Sequence, residues 1–281
     1  MTRHPYHSQA VALLTQHGKQ TLLQAPLQQA LGCQLLHTDA YDTDQLGTFT
    51  RDIARAGTQI DAARKKAQIG MQLLNTSIGI ASEGAFGPDP YFGMSPWNTE
   101  LLIWIDQQRG IEIMGWAQGA AQSEQALIHN PQELAQFCLE AGFPQHGLTL
   151  RPDNEHHPQI RKGIHDQQAL QAAFAECLAE SANGLVWVEN DLRAHCNPTR
   201  QQMIRQAGED LLRKLLSLCP HCASPGYWIS SQRSGLPCRD CHTPTRLPLA
   251  EIWQCPACKL SDEKPQAKRF ADPAQCDVCN P

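Results

Sequence analysis

Eight of the twelve cysteines in this 281-residue chain lie in its last 63 residues, all of them in C-x-x-C pairs. The pairs are Cys219-Pro-His-Cys222, Cys238-Arg-Asp-Cys241, Cys255-Pro-Ala-Cys258 and Cys276-Asp-Val-Cys279. The chain opens without a basic stretch leading into an apolar run, so no secretion signal is expected. Paired thiols then read as metal ligands rather than disulfides. Each pair points two thiolates at one ion, and two pairs complete a tetrahedron. Four thiolates leave no open position, so zinc there would be structural, not catalytic. Fifteen residues separate the first two pairs and seventeen the last two. Those loops fit short β-hairpins, and sequential pairing into two zinc ribbons is the expectation. Joining Cys238/Cys241 to Cys255/Cys258 across thirteen residues is the alternative. His221 and His242 lie beside the pairs but are not needed as ligands. With so few large apolar residues, this region depends on its metal to fold.

Residues 1–218 have a different character. Short apolar stretches alternate with helical patterns, which predicts an α/β body, a mixed sheet with flanking helices. Strands are expected at 10–14, 33–37, 77–82, 146–151 and 185–189. The pair 100–106 and 111–117, separated by Gln-Gln-Arg-Gly, reads as a β-hairpin. Helices are expected at 19–32, 60–74, 131–142, 167–180 and from Pro198 to Leu218. Asn197 is a suitable cap for the last, with Pro198 at its first position. The polar segment 151–166 reads as a loop. The boundary between body and double zinc-ribbon region is placed after residue 218.

In a parallel sheet, ligands bind beyond the carboxyl ends of the strands. Four strand-following loops carry charge: Gln16-His17-Gly18-Lys19, the segment holding Asp42 and Asp44, Ser82-Glu83-Gly84, and Glu189-Asn190-Asp191-Leu192-Arg193-Ala194-His195. If those strands are parallel neighbours, the loops share one cleft. The chemistry they suit is phosphate handling. Lys19, Arg193 and Arg200 can pair with phosphate oxygens. Asp44 and Glu83 are hard oxygen donors suited to Mg²⁺. Asp191 and His195 complete the expected substrate contacts. Each of these residues also has an ordinary structural role open to it. Glu83 could cap a turn, Asp191 and Arg193 could form an internal ion pair, and His195 could hydrogen-bond the backbone. Lys65 and Lys66 read as a solvated helix face, and Cys196 as a packed thiol.

Several of these segments occur together in a known set of sequences. His17-Gly18-Lys19, DTDQLGTF (42–49), the Lys66-Ala67 pair, ASEGAFGP (81–88), FPQHGLTLRP (143–152), ENDLRAHCNPTR (189–200) and the C-x-x-C tail resemble an uncharacterised bacterial family, a domain of unknown function. A looser resemblance is to the inosine-triphosphate pyrophosphatase group. Lys19, the Asp44-to-Phe49 segment, Lys66-Ala67, Ser82-Glu83-Gly84 and Arg193-Ala194-His195 stand where that group has its lysine, acidic, Lys-Ala, acidic-loop and basic motifs. That group's first asparagine and second loop carboxylate are absent here. The resemblance implies a Mg²⁺-dependent nucleotide pyrophosphatase.

The functional expectation is a Mg²⁺-dependent hydrolase of a nucleotide or related phosphate compound. Glu83, Asp44 and Lys19 would be its catalytic residues, and Arg193, His195, Arg200 and Asp191 its substrate contacts. The alternative is a non-enzymatic adaptor whose ribbons bind a protein partner. Nucleic acid is disfavoured. The chain's net charge is −5, and the tail's seven Lys/Arg and six Asp/Glu fall to about −3 with two zinc–thiolate centres. No apolar run is long enough to cross a bilayer, so a cytoplasmic location is expected.

Overall fold

A computed structural model describes residues 3–46 and 57–281. The Gly47-Thr48-Phe49 stretch of the acidic motif lies outside the described residues. The first sheet takes five strands in the order β2-β1-β3-β4-β5. These are β1 (Ala10–Leu14), β2 (Gln34–Thr38), β3 (Ile78–Pro88), β4 (Pro96–Asp106) and β5 (Ile111–Ala120). β1 pairs in parallel with both β2 and β3, and β3-β4-β5 form an antiparallel meander. Helix α1 (Gln20–Leu31) connects β1 to β2, and α2 (Gln59–Leu74) precedes β3.

Alternation along the strands gives this sheet two apolar faces, each covered by helices. Val11, Leu13, Ile80, Leu102 and Trp104 face α1 and α5 (Pro198–Leu216), against Leu23, Leu27, Ile204 and Leu211. Ala12, Ala81, Leu101 and Ile103 face α2, against Ala63, Ala67 and Met71. Small residues on this second face let α2 lie close. On the first face α5 crosses β5 so closely that a Cβ on Gly115 would stand 2.3 Å from the Ala207 carbonyl oxygen. The two connections from β1 and β2 therefore run to opposite faces, and the β1/β3 boundary is where the winding reverses. An open α/β sheet presents its ligand crevice at that boundary.

A second sheet has its own core. Its four strands, order β6-β9-β7-β8, are β6 (Gln125–Ile128), β7 (Leu148–Pro152), β8 (Arg161–Ile164) and β9 (Val186–Asn190), all antiparallel. Helices α3 (Pro131–Glu140) and α4 (Gln167–Glu180) pack on it through Leu134, Phe137, Leu170 and Phe174. Both helices have side-chain caps, Asn130 and Asp166. Three expectations need correction. Ser82-Glu83-Gly84 is not a loop after the strand, because β3 runs through it to Pro88 and pairs there with β4. The polar segment 151–166 is not all loop, because Arg161–Ile164 pairs with β7 at the sheet edge. Nor does LVWVE continue the parallel sheet, because β9 lies in this second sheet between β6 and β7.

The tail folds around a third sheet, β10 (Trp228–Ser234), β11 (Pro248–Gln254) and β12 (Ser261–Pro265), antiparallel and in sequence order. Its apolar interior is small: Cys219, Tyr227 and Cys255, with Trp253, Ala257 and Leu260 against them.

Candidate functional site

The eight tail cysteines form two S4 clusters, but neither expected pairing is correct. Cys219 and Cys222 join Cys255 and Cys258, while Cys238 and Cys241 join Cys276 and Cys279. The first pair combines with the third and the second with the fourth, so the two loops interleave. Sulfur–sulfur separations across the clusters are 3.7 Å for Cys219–Cys258 and Cys222–Cys255, 3.8 Å for Cys238–Cys279 and 3.6 Å for Cys241–Cys276. A tetrahedron with Zn–S bonds of about 2.3 Å has edges of roughly 3.8 Å. Each cluster could therefore hold a metal ion of zinc's size.

The knuckles share one backbone device. The residue after the second cysteine donates its N–H to the carbonyl of the first: Ala223 to Cys219, His242 to Cys238, Lys259 to Cys255 and Asn280 to Cys276. Ala223, His242 and Lys259 reach this with φ of 57°, 61° and 63°. Non-glycine residues enter the left-handed region at a cost, and here the turn that requires it aims two sulfurs at one point. In the second cluster the hydroxyl and N–H of Thr243 bring the Cys241 thiol down to about 6, easing its ionisation for metal.

The body's charged residues meet at the β1/β3 boundary. Lys19 caps α1 just beyond β1 and is buried. Its ammonium donates to the Ser82 carbonyl at 2.8 Å and to the Ser82 Oγ at 3.3 Å, bridging the two strands. Next along β3, Glu83 turns to the opposite face and forms an ion pair with Lys66 of α2. Lys66 is therefore not on a solvated face. Its side chain is only 11% exposed, and it lies on the stripe Ala62–Ala63–Lys66–Ala67–Gly70 that faces the sheet. Gln59, also from α2, donates to the carbonyls of Glu83 and Thr99 and pins α2 across β3 and β4.

On the α5 face, Arg200 Nε donates to Glu100 Oε1 at 2.7 Å, and both side chains are almost fully buried. Arg200 also donates to the Leu192 carbonyl at 2.5 Å, tying α5 to the loop after β9. Gly84 stands opposite Glu100 in the β3–β4 register. A Cβ there would come within 2.4 Å of Glu100 Oε1 and 2.6 Å of Arg200 Nη2, so glycine is required for the pair to lie on the sheet. Burial, with Arg200 and Lys66 as neighbouring cations, lowers the Lys19 ammonium to about 7. Glu100 and Glu83 act on it in the opposite sense.

The segment ENDLRAHCNPTR reaches this place from the second sheet. The fully buried Asp191 accepts from Arg193 Nη2 at 2.5 Å and from the backbone N–H of Arg193 and Gly163. This is the internal ion pair considered above, and it fixes the strand end. A short 3₁₀ turn, Ala194–Cys196, follows. There His195, exposed to solvent, stacks on His17 of the β1–α1 loop with ring centroids 5.4 Å apart. Partial burial and the nearby Arg193 lower the His195 imidazole below its usual value. Cys196 is buried, and desolvation pushes its thiol up to about 12, which fits a packed residue and not a nucleophile. Asn197 caps α5 by accepting from Arg200 N–H, as expected. Asp44 lies on a 3₁₀ turn, Thr43–Leu46, tethered to the β1–α1 loop where Thr43 N–H donates to Gln16 Oε1 at 3.1 Å.

Lys19, Glu83 and Arg200 thus come together, with His195 at the edge through His17. Lys66, Glu100 and Gln59 are members that sequence reasoning did not include.

The family model for a domain of unknown function, DUF6671, matches residues 66–281, well over half of the chain. The chain belongs to the DUF6671 family. No curated protein matches it. The DUF6671 region takes in Lys66, Glu83, Glu100, Arg200 and all eight tail cysteines. Among the described residues, the two S4 clusters are the metal-suited groupings of cysteine, histidine and carboxylate side chains. Among the described residues of this DUF6671 member, no helix is long and apolar enough to cross a membrane.

Proposed function

We propose that the body of this DUF6671 protein is a Mg²⁺-dependent hydrolase of a nucleotide or related phosphate compound, and that both S4 clusters hold structural zinc. One observation carries the first part. Three cations, Lys19, Lys66 and Arg200, gather with two carboxylates, Glu83 and Glu100, just beyond the carboxyl end of β1 and midway along β3, where the sheet's winding reverses. Buried charges cost too much to be gathered for packing alone, since apolar residues of the same size pack as well or better. An anionic ligand gives the cations a purpose. Lys19 and Lys66 would bind phosphate oxygens, Lys66 releasing Glu83 as it does so. The stacking of the solvent-exposed His195 on His17 at the edge of the cluster supports a role for His195 as a proton carrier. Arg200 holds Glu100 and anchors the loop after β9, which supports a positioning role for it. Asp191 does the same for Arg193. Glu83 would offer hard carboxylate oxygens to Mg²⁺, and the tethered turn carries a second acidic residue, Asp44, in its sequence. When bound, the ion would offset charge on the phosphates.

For the tail, four thiolates per site, tetrahedral spacing and no open position support zinc in a structural role.

The test of the hydrolase is release of phosphate or pyrophosphate from a nucleotide panel with Mg²⁺. Glu83→Gln and Lys19→Met should each lower turnover by about 10²–10³-fold, the loss typical of removing one electrostatic contact to a developing charge. Absence of turnover with every substrate, together with no binding of tripolyphosphate, would end the proposal.

A further inference from the structure

β4 carries an oddity beside the charge cluster. Asn98 and Glu100 lie two residues apart, so they share the α5 face with Leu102 and Trp104. Asn98 is 1% exposed and Glu100 fully buried. Neither Oδ1 nor Nδ2 of Asn98 has a hydrogen-bond partner, and Glu100 Oε2 has none either, its Oε1 being held by Arg200. Buried polar atoms are paired in almost every native protein, and leaving them unpaired is costly. Trp97 Nε1 and Trp104 Nε1 of β4 are unpaired as well, and the three atoms of Asn98 and Glu100, beside a charge cluster, point to a ligand that completes them. Because both ends of the Asn98 amide are unpaired, its orientation does not alter the count.

We propose that Asn98 and Glu100 read a flat heteroaromatic ring bearing an exocyclic amino group, which makes the substrate class an amino-purine or amino-pyrimidine nucleotide. The inference rests on the hydrolase reading for the phosphate end only. The count decides the class. Asn98 and Glu100 offer two acceptors, Asn98 Oδ1 and Glu100 Oε2, and one donor group, Asn98 Nδ2. The complement is two N–H groups beside one acceptor. An exocyclic amino group next to a ring nitrogen or carbonyl supplies that, as guanine, adenine and cytosine do. Uracil and hypoxanthine present a single N–H on the edge in question and leave one buried acceptor unpaired. A flat ring also suits the neighbours. Phe86 stands opposite Asn98 in the register, and its ring lies 5.8 Å from the Arg200 guanidinium carbon. A site built to pair a polar edge rejects the analogue lacking it more strongly than an apolar pocket can.

The experiment is equilibrium binding of nucleosides without Mg²⁺: guanosine against inosine, adenosine against inosine, and cytidine against uridine. In at least one pair the amino-bearing member should bind tighter by about tenfold or more. Asn98→Leu should erase that preference and raise the ligand-free Tm by about 2–4 °C, because an unpaired amide leaves the core. A merely structural Asn98 would give a lower Tm on the same substitution. Glu100→Gln, close in shape, should cut the preference on its own. Equal or reversed binding in all three pairs, or a preference that survives Asn98→Leu, would overturn the inference. Inorganic tripolyphosphate, run alongside, reports on the phosphate end. Its failure to bind would count against the hydrolase while leaving a nucleoside preference standing.

Discussion

Cys219→Ser/Cys255→Ser is expected to keep one tightly bound metal ion of two, whereas Cys219→Ser/Cys238→Ser is expected to lose both. The interleaved clusters require this. Cys219 and Cys255 serve one ion, so the first double substitution damages one site twice, while Cys238 belongs to the other. Sequential pairing would reverse the outcomes, and metal content per chain by elemental analysis distinguishes them. Stability should follow the metal. Beyond Tyr227 and its own cysteines the tail buries few apolar side chains, Leu236, Ala250 and Ala271 among them, and structural zinc contributes on the order of 10–16 kcal/mol in small zinc-folded peptides. A strong chelator should therefore collapse β10–β12, seen as loss of amide dispersion and of Trp228 and Trp253 fluorescence change on folding. The sheets of the body have separate cores and should keep theirs. Retention of a dispersed tail spectrum without metal would contradict the assignment.

The second large effect lies at Arg200. Arg200→Met strands a fully buried carboxylate, because Glu100 loses its donor on α5. Removing one partner of a buried pair costs about 3–5 kcal/mol. In a chain of this size that is a fall in Tm of roughly 10 °C. Replacing both residues with leucine should recover most of the loss, since a well-packed apolar pair is often as stable as the ions it replaces. A double variant no better than Arg200→Met would show that Glu100 is not what Arg200 compensates. Recovery of stability without recovery of ligand binding would show what the pair is kept for.

The sequence disclosed local structure well and partnerships poorly. Strand β1 and helix α4 fall where periodicity places them, at Ala10–Leu14 and Gln167–Glu180. Caps such as Asn197 and the glycine after α1 were legible because their chemistry is local. β6 and β8 escaped because four-residue edge strands carry too few alternations to register. Lys66 was misplaced by its neighbour. A Lys-Lys pair suggests solvent, yet spacing from Ala62 and Gly70 puts Lys66 on the stripe that faces the sheet. Glu100 carried a similar signal, sharing its face with Leu102 and Trp104, but a charge at the start of a strand is usually a strand end. The metal pairing was out of reach, because every C-x-x-C looks alike and the choice between partners is made by the fold of β10–β12. That β9 belongs to a second sheet was equally hidden, although the loop after it still delivers His195 to His17.

The central claim is that the cluster around Lys19 is a place for an anion, and the charge state of Lys19 tests it most directly. Its folded value near 7 lies below an unfolded lysine's, so burial of the charge opposes folding below pH 7, and the penalty is relieved as pH rises toward the ordinary lysine range of about 10.4. A bound anion should reverse this by favouring the protonated form. The measurement is the Lys19 side-chain NMR titration, assigned with Lys19→Met, in free protein and with Mg²⁺–tripolyphosphate. The account predicts a midpoint near 7 when free and an upward move of at least about one unit with the ligand. A midpoint at the ordinary lysine value in free protein, or one that tripolyphosphate leaves where it was, would contradict it.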